Sequence, residues 1–438
     1  MRERIIGQVD QVQELTRIAK IWKNPVKYES IYNAKTPHVI LLVGAAGTGK
    51  STIADAFIKE TGLQIVRPNE SEFPQDFQGW IKHTVATAMS IAAPNMMGAV
   101  ALIEDLDRKL PLAESSPMGS PIDVFEFEMG VPKEHGLVLV TARSESPLKP
   151  LIDKGIFDRI IRLSIPTVRE NARIFEHYLA HNHSYGIDLP AIASLLHEKT
   201  VADLKKAYDI ASEIANERSA GERISMKDLV DACLILAYQA QEITEKDKAR
   251  LSASAYHEAG HAIVEEILRP GSVAVASIKT YHSGIAGVTC EMYPDERWDT
   301  DLDQQINIRA MLAGKAAVQA KFNVTDIGAT LDIKMAKVAE RRRVEKYEEN
   351  GFHDLYHRAK DVGGTGTLSD DFDRKTRTIL AKEYSEIVKF FSYDCVKECL
   401  DAVAQALMKG TLLGDEVRAI MAKHPIAETC IAMFQIEQ

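Results

Sequence analysis

At 438 residues, with 45% apolar and 26% charged side chains, the chain has the composition of a folded protein and is too long for one ordinary core, so two or three domains are expected. A formal net charge of -10 argues against a nucleic-acid or anionic-membrane binder and leaves proteins and small molecules as partners. No apolar run approaches the roughly 20 residues that span a bilayer, the N-terminus has no signal-peptide core, and the five cysteines are scattered, so a cytoplasmic chain without a membrane segment is expected.

In chain order, the first strong element is His38-Val39-Ile40-Leu41-Leu42-Val43, a continuous apolar run of buried-strand type. It runs into Gly44-Ala45-Ala46-Gly47-Thr48-Gly49-Lys50-Ser51 and then a helical pattern through Ile58, which is G-x-x-x-x-G-K-S in its strand-to-helix setting. The glycines let backbone N–H groups wrap phosphates, Lys50 reaches the terminal phosphates, and the Ser51 hydroxyl suits magnesium (Mg2+); with Thr52 this is the expected ATP site. A second buried strand, Ala99 to Ile103, ends in Glu104-Asp105, where a P-loop ATPase places one acid for the magnesium shell and one to polarise the attacking water. Gly136 to Val140 and Ile160 to Pro166 read as further strands, and strands separated by helices predict a parallel sheet covered on both faces.

From Val168 to about Tyr238 the pattern is helical, and the charged stretch Gln241 to Arg250 reads as a joint. Beyond it, Ala255-Tyr256-His257-Glu258-Ala259-Gly260-His261-Ala262-Ile263-Val264 carries two histidines four apart, on one face of a helix, with Glu258 beside them as a candidate base. Two imidazoles and a carboxylate on so apolar a helix are costly unless paired, and zinc (Zn2+) is the obvious partner. A catalytic zinc needs a third protein ligand, which the motif does not supply. Val273 to Thr280 and Gly287 to Met292 alternate like strands, while Ile306 to Ala320 and Asp370 to Leu407 are long helical patterns separated from what precedes the latter by Gly366-Thr367-Leu368-Ser369. Cys395 and Cys399, one turn apart, are either metal-ligating or structural, and without a second pair the structural reading is preferred.

Taken together the P-loop, the acidic strand end and the H-E-x-x-H helix resemble FtsH-type proteases, in which an AAA ATPase is fused to a zinc metallopeptidase. Ile5-Ile6-Gly7-Gln8-Val9 and Gly155-Ile156-Phe157-Asp158-Arg159 resemble segments of that AAA module, and Thr411 to Val417 resembles the C-terminal signature. The resemblance implies that Asp332, in Thr325 to Ile333, is the third zinc ligand, with Asp326 a decoy ahead of Gly328-Ala329. It implies that Phe77 and Gly79 belong to a pore loop that grips substrate, and that Gly287 to Met292 is an edge strand pairing with extended polypeptide. It also implies a homo-hexamer acting on protein substrates, with Glu258 as the catalytic base.

The match departs from the family where hydrolysis is concerned. The acid pair reads Glu104-Asp105 instead of Asp then Glu, the phosphate-sensing asparagine falls on Ala142 or Arg143, and the two arginine fingers fall on Asp153 and Ile156. An arginine finger is worth roughly 10³ to 10⁵ in rate, so binding without ordinary hydrolysis is expected. The expected architecture is an AAA α/β nucleotide-binding domain over 1–167, its helical lid over 168–240 and a mainly α-helical zinc metallopeptidase over 241–438. Two alternatives stay open: a fully ATP-driven protease whose missing cations are replaced by Lys154 or Arg143, and an inert ATP-binding scaffold.

Overall fold

A computed structural model describes residues 5–33, 35–73, 75–91, 98–115, 119–130, 136–180, 186–241, 248–281, 286–293, 300–324, 329–346 and 366–435. The decoy Asp326 and most of the expected joint lie outside the described residues. Contacts divide the chain into two compact units, one of residues 1–178 with 198–206, the other of residues 179–197 with 207–438.

The first unit is built on a five-stranded, wholly parallel sheet: β1 (Val39–Val43), β2 (Gln64–Val66), β3 (Ala99–Ile103), β4 (Gly136–Ala142) and β5 (Arg159–Arg162), in the order β2-β3-β4-β1-β5. Every residue of β1, β3 and β4 is buried, which is why those segments read as unbroken apolar runs. On β1, Val39, Leu41 and Val43 face one apolar cluster and Ile40 and Leu42 face another. The first cluster is closed by α3 (Phe77–Ile91) and α4 (Pro121–Gly130), the second by α1 (Val9–Trp22) and α2 (Lys50–Thr61). The α/β sheet covered on both faces is therefore as expected.

Four helices follow, α5 (Val168–Leu179), α6 (Leu189–Leu195), α7 (Val201–Arg218) and α8 (Met226–Tyr238). The start of α8 is a capping box, in which the Ser225 side chain and Asp228 satisfy each other's backbone N–H groups.

The rest of the second unit is mainly helical. A small antiparallel sheet, β6 (Ala240–Gln241), β7 (Val273–Tyr281), β8 (Ala286–Glu291) and β9 (Leu412–Leu413), is centred on β7. Its helices are α9 (Lys248–Leu268), α10 (Asp301–Phe322), α11 (Thr330–Lys346), α12 (Gly366–Ser392), α13 (Asp394–Leu407), α14 (Gly414–Lys423) and α15 (Glu428–Phe434). Ala259, Ala262, Ile263 and Val264 of α9 join residues of α10, α12 and α13 in one core. Among the described residues no helix is long and apolar enough to cross a membrane.

Candidate functional sites

The zinc-type site rests on how α9 meets α10. His257 and His261 project from the same face of α9, and α10 presents Gly314 to them: a Cβ there would lie 2.4 Å from His261 Nε2 and 2.7 Å from His257 Nε2. Any side chain at that position would fill the space the imidazoles need. The backbone carbonyl of Ala310, one turn earlier on α10, accepts a 2.7 Å hydrogen bond from His261 Nδ1. A carbonyl can only accept, so Nδ1 carries a proton and Nε2 is the nitrogen turned towards the metal position.

Asp332, in the first turn of α11, completes the group. Its Oδ2 lies 3.0 Å from His257 Nε2 and 3.6 Å from His261 Nε2, and the two Nε2 atoms are 3.0 Å apart. Donors about 2.0–2.2 Å from a tetrahedral zinc stand about 3.3 Å from one another, so the donor set and its spacing fit that ion. Among the described residues this is the one group of three or more acidic, histidine or cysteine ligands so arranged. Burial would raise the Asp332 carboxyl, but its hydrogen bonds to His257 and His261 and their charge hold it well below the usual carboxylate range. Burial would likewise lower His261, yet the Asp332 hydrogen bond and the charges of Glu258 and Asp332 bring it up to about 9. The field at this point favours a cation.

Glu258 is 4% exposed, and burial, partly offset by the two histidines, pushes its carboxyl up. Thr289 of β8 donates a 2.8 Å hydrogen bond to its Oε2. Gly287, also on β8 and with φ of 116°, lies over the other oxygen: a Cβ there would be 2.5 Å from Oε1. The strand thus holds one carboxylate oxygen and leaves the other clear. Gly314 and the Ala310 carbonyl carry no motif, and Gly287 and Thr289 are marked in the sequence only as part of an edge strand, not as neighbours of Glu258.

In the first unit, Gly44 to Gly49 form the turn from β1 to α2, with Gly47 and Gly49 at positive φ. Thr48 is buried and its hydroxyl donates to the Ala45 carbonyl, while Ala45, Ala46, Ser51 and Thr52 are exposed or half-exposed on the loop surface. Lys50 Nζ donates to the carbonyls of Gly44 and Ala45 at 2.7 and 2.9 Å, and burial lowers its pKa. Ser51 donates to Glu104 Oε1 at 3.1 Å, so the expected magnesium partners are adjacent.

Both acids are also tied to arginines of the same unit. Arg67 Nη1 lies 2.5 Å from Glu104 Oε2, and Arg143 Nη2 lies 2.9 Å from Asp105 Oδ2. Arg67 follows β2 in an irregular stretch and had no signal in the sequence. Asp153 ends a short helix and Ile156 packs against the sheet core, so neither finger position presents a cation; Lys154 pairs with Glu126.

The expected pore-loop residues lie in and just inside the start of α3. Phe77 is 2% exposed in the first turn of α3, stacked on Trp80 with ring centroids 5.7 Å apart, and Gly79 donates its N–H to Asp76 Oδ1 at 2.7 Å within the same turn. The ring packs in the apolar cluster on one face of the sheet, where the apolar spacing of the helix places it.

Two family descriptions match the chain: the ATPase family associated with various cellular activities (AAA) over residues 40–165, and Peptidase family M41 over residues 242–420. The chain is similar to the ATP-dependent zinc metalloprotease FtsH of Mycoplasmopsis synoviae, 27% identical over 450 residues that cover 96% of this chain and 66% of that protein. It is 28% identical to the protein of the same name from Leptotrichia buccalis, over 94% of this chain and 55% of the relative, and 27% identical to that of Borreliella burgdorferi, over 95% and 68%. The chain thus spans between about half and two thirds of the length of these relatives.

Proposed function

We propose that this chain, matched by the AAA and Peptidase M41 descriptions and similar to FtsH relatives along most of its length, is an FtsH-type zinc endopeptidase for unfolded or partly folded polypeptides, coupled to a module that binds ATP and hydrolyses it slowly. The observation that carries the peptidase reading is the convergence of His257, His261 and Asp332 beside the buried Glu258. Those three residues would hold the zinc. Bound there, zinc would supply a polarised water and a Lewis-acid contact for the scissile carbonyl. Glu258 accepts the attacking water's proton on Oε1, the oxygen that Thr289 does not hold, and returns it to the leaving amine. Among the described residues β8 is paired only with β7, so its other edge suits backbone pairing with an extended substrate.

Slow hydrolysis is supported by the two arginines that neutralise Glu104 and Asp105 and by the absence of a cation at Asp153 and Ile156. Lys154 and Arg143, the candidates for replacing lost fingers, are engaged with Glu126 and Asp105, which disfavours the fully ATP-driven reading. A homo-hexameric assembly, the domain limits 1–167, 168–240 and 241–438, and a reducing compartment suited to five free cysteines belong to the same proposal.

Casein degradation by wild type and Glu258→Gln, each with ATP, with a non-hydrolysable analogue and with no nucleotide, tests this reading. We expect cleavage that the substitution abolishes and that the analogue supports as well as ATP does. Cleavage that requires hydrolysis, or ATP turnover of about 1 s⁻¹ or more, would contradict the slow-motor part; no cleavage under any condition would contradict the peptidase part.

A further inference from the structure

The second unit contains a cavity that neither the peptidase site nor the nucleotide loop uses. It measures about 800 Å³ and lies between α11 and α12, lined by Lys337, Val338, Arg341, Arg342, Asp373, Thr376 and Arg377. That volume falls in the range of small-molecule sites, roughly 300–1,000 Å³. In a chain of net charge -10, one wall segment gathers four cations against one acid. Asp373 is already paired with Arg341, whose guanidinium is also 5.9 Å from the centre of the Phe372 ring. Lys337, Arg342 and Arg377 are exposed around the opening.

Charge alone would describe a solvated surface, but Thr376 adds an independent observation. It is 4% exposed, lines the cavity, and its Oγ1 has no hydrogen-bond partner among the described residues. A threonine inside a helix commonly donates to the carbonyl four residues back, as Thr378 does on this same helix, 2.9 Å from the Arg374 carbonyl. A buried hydroxyl left unpaired is costly, so such groups usually have a partner in the working protein.

We propose that this cavity is a second ligand site, for a small anion carrying two or more linked phosphates. Phosphate oxygens accept from Thr376 Oγ1 at the buried end and from the guanidinium and ammonium groups at the mouth, where arginine can bind two oxygens at once. A volume of this size fits a small molecule. The same chemistry is offered by free inorganic oligophosphate and by the phosphate chain of a nucleotide.

The test is calorimetric titration of the full chain carrying Lys50→Ala, which removes the P-loop contribution, with inorganic triphosphate in one arm and ATP in the other, at near-physiological salt. Binding of inorganic triphosphate is expected, with at least a tenfold loss on adding Thr376→Val and near-complete loss on adding Arg377→Glu. Competition by ATP would assign the nucleotide as a source, and its failure would assign the inorganic anion. Absence of triphosphate binding up to about 1 mM, where binding energy falls to about -4 kcal/mol, would overturn the proposal. So would binding that Thr376→Val leaves unchanged, since diffuse surface attraction does not need a buried hydroxyl. Should Thr376→Val fail to fold by circular dichroism, Arg377→Gln at the exposed mouth takes its place: a loss of at least tenfold supports the site and an unchanged affinity overturns it.

Discussion

Gly314 shows how much of the metal site depends on an atom that is missing. The two Nε2 atoms stand where its Cβ would be, so Gly314→Ala must move either α10 or both imidazoles. The expected result is a fall of about 10- to 100-fold in zinc affinity, the usual cost of disturbing a ligand's surroundings, measured by competition with a chromophoric chelator. Glu265 makes a different residue-scale prediction. It is 2% exposed on α9, and burial reinforced by the charge of Glu291, against the opposing pull of Arg269, raises its carboxyl from 4.5 to about 7. The folded state therefore holds a proton that the unfolded chain has lost between pH 4.5 and 7, and stability falls as pH rises through that window. Glu265→Gln should shift denaturant unfolding of this unit upward by up to about 3 kcal/mol at pH 8 and hardly at all at pH 4.5. At this scale the sequence was legible where chemistry is local: His257, Glu258 and His261 announce themselves by spacing. Asp332 was reached by resemblance, because it lies 71 positions after His261 and only the fold closes that gap. The contacts of Thr289 and Gly287 with Glu258 were hidden for the same reason, although their strand was marked.

At the scale of elements, the orientation of α11 matters most, because it carries Asp332. Arg343 fastens it: 4% exposed, it donates to both oxygens of Asp301 at 2.8 and 3.0 Å, at the start of α10, and to Glu340 Oε2 at 2.7 Å. Glu340 is 1% exposed. Removing Arg343 takes the guanidinium partner from a buried carboxylate, so Arg343→Met should cost about 3–5 kcal/mol and weaken zinc retention, with Glu340→Met added in the same chain recovering most of the stability. Urea unfolding and chelator competition on the two variants measure both effects. The strands β1, β3 and β4 could be read from sequence because burial on both faces leaves an uninterrupted apolar run. β2, β6 and β9 could not: they have two or three residues, and β2 is mostly exposed at the sheet edge. The pattern from Asp370 to Leu407 hid a break, since apolar spacing continues across Tyr393, whose extended backbone separates α12 from α13. Gly366 to Ser369, with the composition of a turn, forms the first turn of α12 instead.

At the scale of the whole molecule, the two sites draw on separate parts of the chain. Residues 44–143 supply the nucleotide loop, its acids and the arginines that neutralise them; residues 257–332 supply the proposed metal ligands, the proposed base and the glycine that admits them. Each set lies within one compact unit with its own apolar core. Substitutions without shared partners act additively to within a few tenths of a kcal/mol, which gives the independence of the sites a measurable form. Lys50→Ala removes the cation proposed to reach the phosphates. The variant should lose P-loop ATP binding while keeping its zinc content and cleaving a short unstructured peptide within about twofold of wild type, because such a peptide needs no unfolding before it reaches Glu258. Peptide cleavage and zinc content measured beside nucleotide binding decide the matter: joint loss of all three would mean that the nucleotide unit holds the peptidase in its working form, whereas selective loss of binding would leave the peptidase chemistry complete within the second unit.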